Sequence, residues 1–253
     1  MFSLRSGTRI AMQLSLDLST SPLEAMRDAL LRTFGPQRPT KRLDPVSQLV
    51  KSAISGRTKD AVSWAAYHRL RDRFATWEDL AEAPDAVVLE LIKEVSYPED
   101  KARHLPHALR LIQVRSGWKL SLDHLSELEL DSARWWLQGL PGVGVKVAAS
   151  VLNFSPLNMR ALVVDTHVHR VAGRLGLIPA SDDTAHAYRA LMDLVPDSWT
   201  AEDLYELHWL MKGLGQLLCG HHAPRCGACS LKATCSRVGV ERSADILAWK
   251  PRS

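Results

Sequence analysis

Asp131-Ser-Ala-Arg-Trp-Trp-Leu-Gln-Gly-Leu140-Pro-Gly-Val-Gly-Val-Lys146-Val-Ala-Ala-Ser-Val-Leu-Asn153 holds two helical patterns joined by Leu140-Pro141-Gly142-Val143-Gly144. A proline and two glycines within five residues interrupt a helix, while the flanking apolar positions recur at helical spacing. The segment reads as helix, glycine hairpin, helix. Glycines at 142 and 144 allow positive φ and close approach, so N–H groups at the start of the second helix can point at one phosphate. Such a contact grips DNA without reading sequence. A nucleotide-binding loop is rejected: Gly139 and Gly144 have the required separation, but Val145 precedes the lysine and Val147 replaces the Ser or Thr. A purely structural helix-turn-helix would also account for the glycines, and the neighbouring residues weigh against it.

Lys146 falls in the first turn of the second helix, between Val145 and Val147. Desolvation and the positive helix end both disfavour its ammonium form, which makes it a candidate nucleophile. A neutral amine attacking the anomeric carbon of a deoxyribose would displace the base and give a Schiff base, from which strand cleavage follows by elimination. Downstream, the apolar run Ala161-Leu-Val-Val164 ends at Asp165 and passes into a second helical pattern, placing Asp165 at an N-cap. Capping fully explains an aspartate there. The same N–H groups keep the carboxylate ionised, able to stabilise an oxocarbenium ion or take a proton from the lysine. Asp165, His167 and His169 alternate and on a strand would make a metal face, as in a metal-dependent nuclease. The spacing of Val168, Val171 and Leu175 favours a helix, leaving the histidines to packing or hydrogen bonding.

Outward from these segments, periodicity is helical nearly everywhere, with Leu49, Ile54, Ala61, Trp64 and Ala65 early and Leu204, Leu207, Met211, Leu214 and Leu218 late. Asp44-Pro45, Thr76, Asp85 and Asp131 read as helix starts, and Gly117, Gly173 and Gly213 as stops or close helix contacts. The expected fold is all-α. With 253 residues, 46% of them hydrophobic, the chain can bury one large core or two modest ones. The division expected is a disordered tail at 1–20, a six-helix domain at 38–158, a second helical domain formed by 21–37 with 159–238, and a basic tail at 239–253. Residues before Asp17 carry Arg5, Arg9 and several serines, a weak likeness to an organelle transit peptide. No apolar run approaches the ~18 residues of a spanning helix, so no membrane partner is expected.

The formal charge of +4 permits a polyanionic partner without requiring one. Its distribution says more: residues 101–119 hold five Lys or Arg and no acid, and residues 219–253 hold six against Glu241 and Asp245. The four cysteines are confined to Cys219-x6-Cys226-x2-Cys229-x5-Cys235, which argues for one metal site in a reducing compartment rather than for disulfides. Four thiolates suit zinc or an iron–sulfur cluster about equally.

Three separated motifs, Leu140-Pro141-Gly142-Val143-Gly144-x-Lys146, Val164-Asp165-Thr166-His167 and the 6-2-5 cysteine spacing, resemble the helix-hairpin-helix DNA glycosylases, specifically endonuclease III and its relatives. The resemblance spans about 38–238. It implies helical domains flanking a DNA-binding groove, a 4Fe–4S cluster on Cys219, Cys226, Cys229 and Cys235, Lys146 as nucleophile and Asp165 as catalytic carboxylate. Base chemistry inside a duplex requires eversion of the nucleotide and a filler for the gap. The family's two wedge positions align here with Arg57, where many relatives carry glutamine, and Tyr97, where an aliphatic residue is common. Tyrosine can stack in a gap and arginine can bond an orphaned base, so the role survives while the usual oxidised-pyrimidine substrate is put in question. Arg225, in the loop between the first two cysteines, is a candidate DNA-backbone contact. Tyr205-Glu206-Leu207-His208 and the cysteine loop are also similar to the plant 5-methylcytosine glycosylases.

The function expected is excision of a damaged or modified base from double-stranded DNA, with abasic-site lyase activity, by a monomer. The compartment would be the bacterial cytoplasm, or the nucleus or an organelle in a eukaryote. A non-catalytic iron–sulfur lesion sensor is the alternative from another class; it would have no use for both Lys146 and Asp165.

Overall fold

The computed structural model describes residues 21–246, and every described element is helical. The first half contains α1 (Pro22–Phe34), α2 (Pro45–Ser55), α3 (Asp60–Arg73), α4 (Trp77–Ala81), α5 (Asp85–Ile92) and α6 (Pro98–Arg115). After a short 3-10 turn at Asp123–Glu127 come α7 (Leu130–Gln138), α8 (Val145–Phe154), α9 (Thr166–Leu175), α10 (Thr184–Asp193) and α11 (Ala201–Leu217). No described helix is long and apolar enough to cross a membrane.

Helix starts follow the caps written in the sequence. Asp44 accepts from Ser47 N with Pro45 opening α2, and Ser21, Thr76 and Thr200 form capping boxes with Glu24, Asp79 and Asp203. Two sequence expectations shift. The helix assigned to Asp131 starts one residue earlier with Glu129 as its cap, because neither residue contributes a side-chain cap bond to fix the start. Gly213 lies inside α11 facing open space, and Gly215 makes the close contact instead: a Cβ there would stand 2.9 Å from His167 Cβ. Gly173 does make the expected contact, against Ala180, and Gly117 ends α6 at φ 64°.

One continuous core runs from Leu23 to Leu231. Within it α2 packs on α8, α4 and α5 on α6, α7 on α8, and α9 on α11; α8 also touches α10 and α11. Helix α1 lies on α11, far away in sequence. Arg27 bonds Asp203 at 2.6 Å and Glu206 at 2.5 Å, and Glu206 is only 1% exposed. Burying that carboxylate is tolerable because Arg27 and the Gln37 N–H satisfy it.

The described part of the segment read as a basic tail, 239–246, is tied to the cysteine loop. Asp245 accepts from Gly227 N and Ala228 N, and Ser243 accepts from Cys226 N. These acceptors satisfy loop amides that no helix or strand provides for. The tail expected at 1–20 and residues 247–253 lie outside the described residues.

Candidate active site

A cleft of about 1470 Å³ opens between α2–α3 on one side and α8, α9 and α11 on the other. Lys146 and Asp165, separated by nineteen positions in the chain, both line it. The hairpin brings Lys146 there. Gly142 turns the chain at φ 73°, and a Cβ on it would stand 2.9 Å from His104 Cβ. Gly144 is extended at φ −90° and N-caps α8, so only one of the two hairpin glycines uses left-handed backbone. A Cβ on Gly144 would meet no protein atom within 4 Å. Its side chain is absent on a surface that is open, and α8 begins with no side-chain cap, leaving its first N–H groups directed outward.

Lys146 is half-buried at the second position of α8. Burial lowers its ammonium to about 8; Asp165 opposes the shift, and Lys212 adds to it. Asp165 caps α9 as expected, its Oδ1 accepting from His167 N at 2.8 Å and Val168 N at 2.9 Å. Burial alone would push this carboxyl up. The Val168 N–H and the Lys212 ammonium are among the groups that outweigh burial and hold it below the ordinary carboxylate range. His208 sits beneath, 2% exposed, with Nδ1 2.7 Å from the Val163 carbonyl. Burial keeps its ring neutral, with a pKa near 4. Asp165 favours the charged form of Lys146 without forming an ion pair with it within 4.0 Å. A lysine that gives up its proton far more readily than an ordinary one and an ionised carboxylate therefore face a common space.

His167 and His169 do not converge with Asp165 on a metal site. His169 Nε2 lies 2.7 Å from the Asp182 carbonyl and His167 Nδ1 lies 3.1 Å from Arg170, as the helical reading anticipated. Sequence reasoning missed Lys51, Asp60 and Lys212 in the same cleft. Lys212 Nζ bonds Asp60 Oδ1 at 2.9 Å, linking α11 to the start of α3. Lys51 interrupts the buried run Val46–Ile54 of α2, and a cation in such a run was the available signal.

At the rim, Arg57 and Tyr97 come together from loops forty residues apart. Arg57 Nη1 donates to Tyr97 Oη at 3.2 Å, with the guanidinium 5.7 Å from the ring centroid. Lys101 fastens the first loop from below, donating to the carbonyls of Ile54 and Gly56, while Ser96 Oγ donates to the Arg57 carbonyl. Arg225 is an exposed side chain of the cysteine loop, away from the cleft.

Each of the four cysteines is half-buried, in the segment that follows α11. Burial raises the Cys226, Cys229 and Cys235 thiols, and each also senses Cys219. Arg174 donates to Cys219 Sγ at 3.3 Å and to the Gly220 carbonyl at 2.6 Å, and Arg170 Nε donates to the Cys219 carbonyl at 3.0 Å. Among the described residues no three His, Cys, Asp or Glu side chains are grouped to hold a single metal ion.

The family model described as HhH-GPD superfamily base excision DNA repair protein matches residues 50–197. Endonuclease III of Thermotoga maritima is 32% identical over 214 residues, covering 84% of this chain and 92% of that protein. The chloroplastic endonuclease III homolog 1 of Arabidopsis thaliana is 29% identical over 229 residues, and the chain spans 56% of that relative's length. A trapped endonuclease III–DNA covalent intermediate superposes with a TM-score of 0.68 at 25% identity over 83% of this chain and 92% of that one. With the family matched over more than half its length, the chain belongs to the HhH-GPD superfamily of base excision DNA repair proteins, on its endonuclease III-like side.

Proposed function

We propose that this protein removes a damaged or modified base from duplex DNA and then cleaves the strand at the resulting abasic site. The observation that carries the reading is the pairing of a half-buried Lys146, lowered to about 8, with a capped, ionised Asp165 across one cleft. Lys146 Nζ attacks C1′ of the everted nucleotide and the glycosidic bond breaks. Asp165 stabilises the positive charge that develops on the sugar and accepts the proton shed by the lysine. The nitrogen lone pair then expels O4′, which takes up a proton as the sugar ring opens, leaving a protonated imine; this acidifies C2′, and loss of a C2′ proton with departure of the 3′ phosphate nicks the strand.

DNA would lie in the groove between the domain at 38–158 and that formed by 21–37 with 159–238. The open N–H groups after Gly142 and Gly144 would receive one phosphate, and Arg225 another contact along the backbone. Arg57 and Tyr97 would enter the gap left by the everted base; Tyr97 is 58% exposed, so it is free to stack. One protomer contains every group invoked, which supports a monomer.

The donor chemistry fits an iron–sulfur cluster: all four candidate ligands are cysteines, and Arg174 sets positive charge against the Cys219 sulfur. Cys219, Cys226, Cys229 and Cys235 would hold a 4Fe–4S cluster, whose contribution when bound is to fold the loop and fix Arg225 rather than to take part in base removal. It would give the purified protein a visible absorbance that a zinc site lacks.

The test is incubation with duplexes carrying single modified bases or an abasic site, with borohydride present, beside Lys146→Ala. A covalent adduct formed by the parent protein and lost in the variant is the expected result. Tight binding without any adduct would instead indicate a lesion sensor.

A further inference from the structure

Lys51 has no place in the reaction just described, yet it is 8% exposed and lines the same cleft as Lys146 and Asp165. Its ammonium donates to Ser55 Oγ at 2.8 Å and Ser63 Oγ at 3.2 Å, and sits 4.5 Å over the Trp64 ring. Both hydroxyls give their own hydrogens to backbone carbonyls, Ser55 to Lys51 and Ser63 to Asp60, so toward the ammonium they can only accept. An ammonium has three donors, and two are used. Among the described residues no oxygen or nitrogen accepts the third N–H.

Among the described residues no carboxylate lies within ion-pair distance of this lysine. The nearby Asp60 is engaged by Lys212 and Gln216 instead. A buried cation without a counter-ion is costly unless something else satisfies it. The two serines and the indole hold the ammonium in place, and a ligand in the cleft can supply the missing acceptor.

We propose that Lys51 receives the departing base: its third N–H bonds a carbonyl oxygen or ring nitrogen of the everted base and protonates it as the base leaves. The inference rests on the glycosylase reading above. As Lys146 Nζ bonds to C1′, the C1′–N bond breaks and its electron pair moves to the base, spreading onto the acceptor atom. Lys51 passes its proton to that atom, the base leaves neutral, and the Lys51 amine regains a proton from water. Burial lowers the Lys51 ammonium to about 8 as well, so it keeps its proton at neutral pH yet can release it, and the two lysines divide the work by position, Lys146 at the sugar and Lys51 at the base. The substrate class favoured is a base with an acceptor on the edge facing α2, such as a carbonyl-bearing pyrimidine, because an exocyclic amino group there would meet a donor.

The experiment uses the full chain and duplexes carrying uracil, 5-fluorouracil, 5-hydroxyuracil or a preformed abasic site. Borohydride trapping of the parent protein at the abasic site comes first; its failure counts against the glycosylase and lyase reading itself. Given trapping, Lys51→Met should lower the ratio of single-turnover base excision to abasic-site elimination at least tenfold. The deficit should be largest for uracil and smallest for 5-fluorouracil, whose more acidic leaving group needs less help. Lys51→Arg, which keeps a cationic donor, should recover part of it. An unchanged ratio, or an equal loss for all three bases, overturns the proposal, as does a parent protein that traps at the abasic site and excises none of them. If Lys51→Met does not fold, Lys51→Gln, which keeps a donor for the serines and lacks the transferable proton, is read by the same ratio.

Discussion

Arg57 donates to the hydroxyl of Tyr97 while both residues hold left-handed backbone, φ 56° and 55°. Non-glycine residues adopt this region at a cost of ~1 kcal/mol each, so two loops are held in an unfavourable shape to present one composite tip. If the pair enters the duplex as proposed, the two side chains would act as a unit. Arg57→Ala and Tyr97→Ala should each weaken binding to a lesion duplex several-fold, and the double variant should lose less than the product of the two. A double-mutant cycle on dissociation constants checks this; strict multiplicativity would show two independent contacts.

The reactivity of Lys146 should follow its titration. Burial places its ammonium near 8, and only the neutral amine attacks. The rate of borohydride-trapped adduct formation on an abasic-site duplex should rise about tenfold per pH unit below that value and level off above it. A rate that keeps rising beyond pH 10, where an ordinary lysine titrates, would place the amine in solvent.

The two hairpin glycines should separate stability from binding. Gly142→Ala puts a Cβ 2.9 Å from His104 Cβ at a left-handed φ, and should destabilise the fold by about 2 kcal/mol. Gly144→Ala meets no protein atom and should cost less than about 1 kcal/mol, a difference of N-cap preference. The second variant should nevertheless bind duplex DNA several-fold more weakly at low salt. Chemical denaturation and a binding titration on the same two proteins test both halves.

Glu206→Gln should be far more damaging than its distance from the cleft suggests. It removes the buried carboxylate that Arg27 and the Gln37 N–H depend on, at a cost of about 3 kcal/mol. For a chain of this size that is a fall in melting temperature of roughly 6–12 °C. Calorimetry decides it.

The parts of this fold legible in the sequence are those set by local chemistry. Asp44, Thr76 and Asp165 announce their helices because a cap is a contact between residues two or three apart. The place of Lys146 was legible because the glycine hairpin sets it in the first turn of a helix. Lys51, Asp60 and Lys212 were not, because each reads locally as an ordinary charged residue and only the packing of α2 and α3 near α11 brings them into one cleft. Gly213 and Gly215 show the same limit: two residues apart on one helix, only the second faces His167, and nothing nearby in the chain marks which. The contact between Arg57 and Tyr97 depends on Lys101 and Ser96 fastening two loops, a tertiary arrangement invisible to periodicity.

The clasp between α1 and α11 also constrains how the chain is made. Arg27 and Glu206 are 179 residues apart. At ~5–20 residues per second, roughly 10–35 s pass between the emergence of the first and the synthesis of the second. Through that interval Leu23, Met26 and Leu30, later sealed against α11, have no surface to cover them. Because α1 is made well before α11, for that interval it is an apolar face open to holdase chaperones or to its counterpart on the next nascent chain.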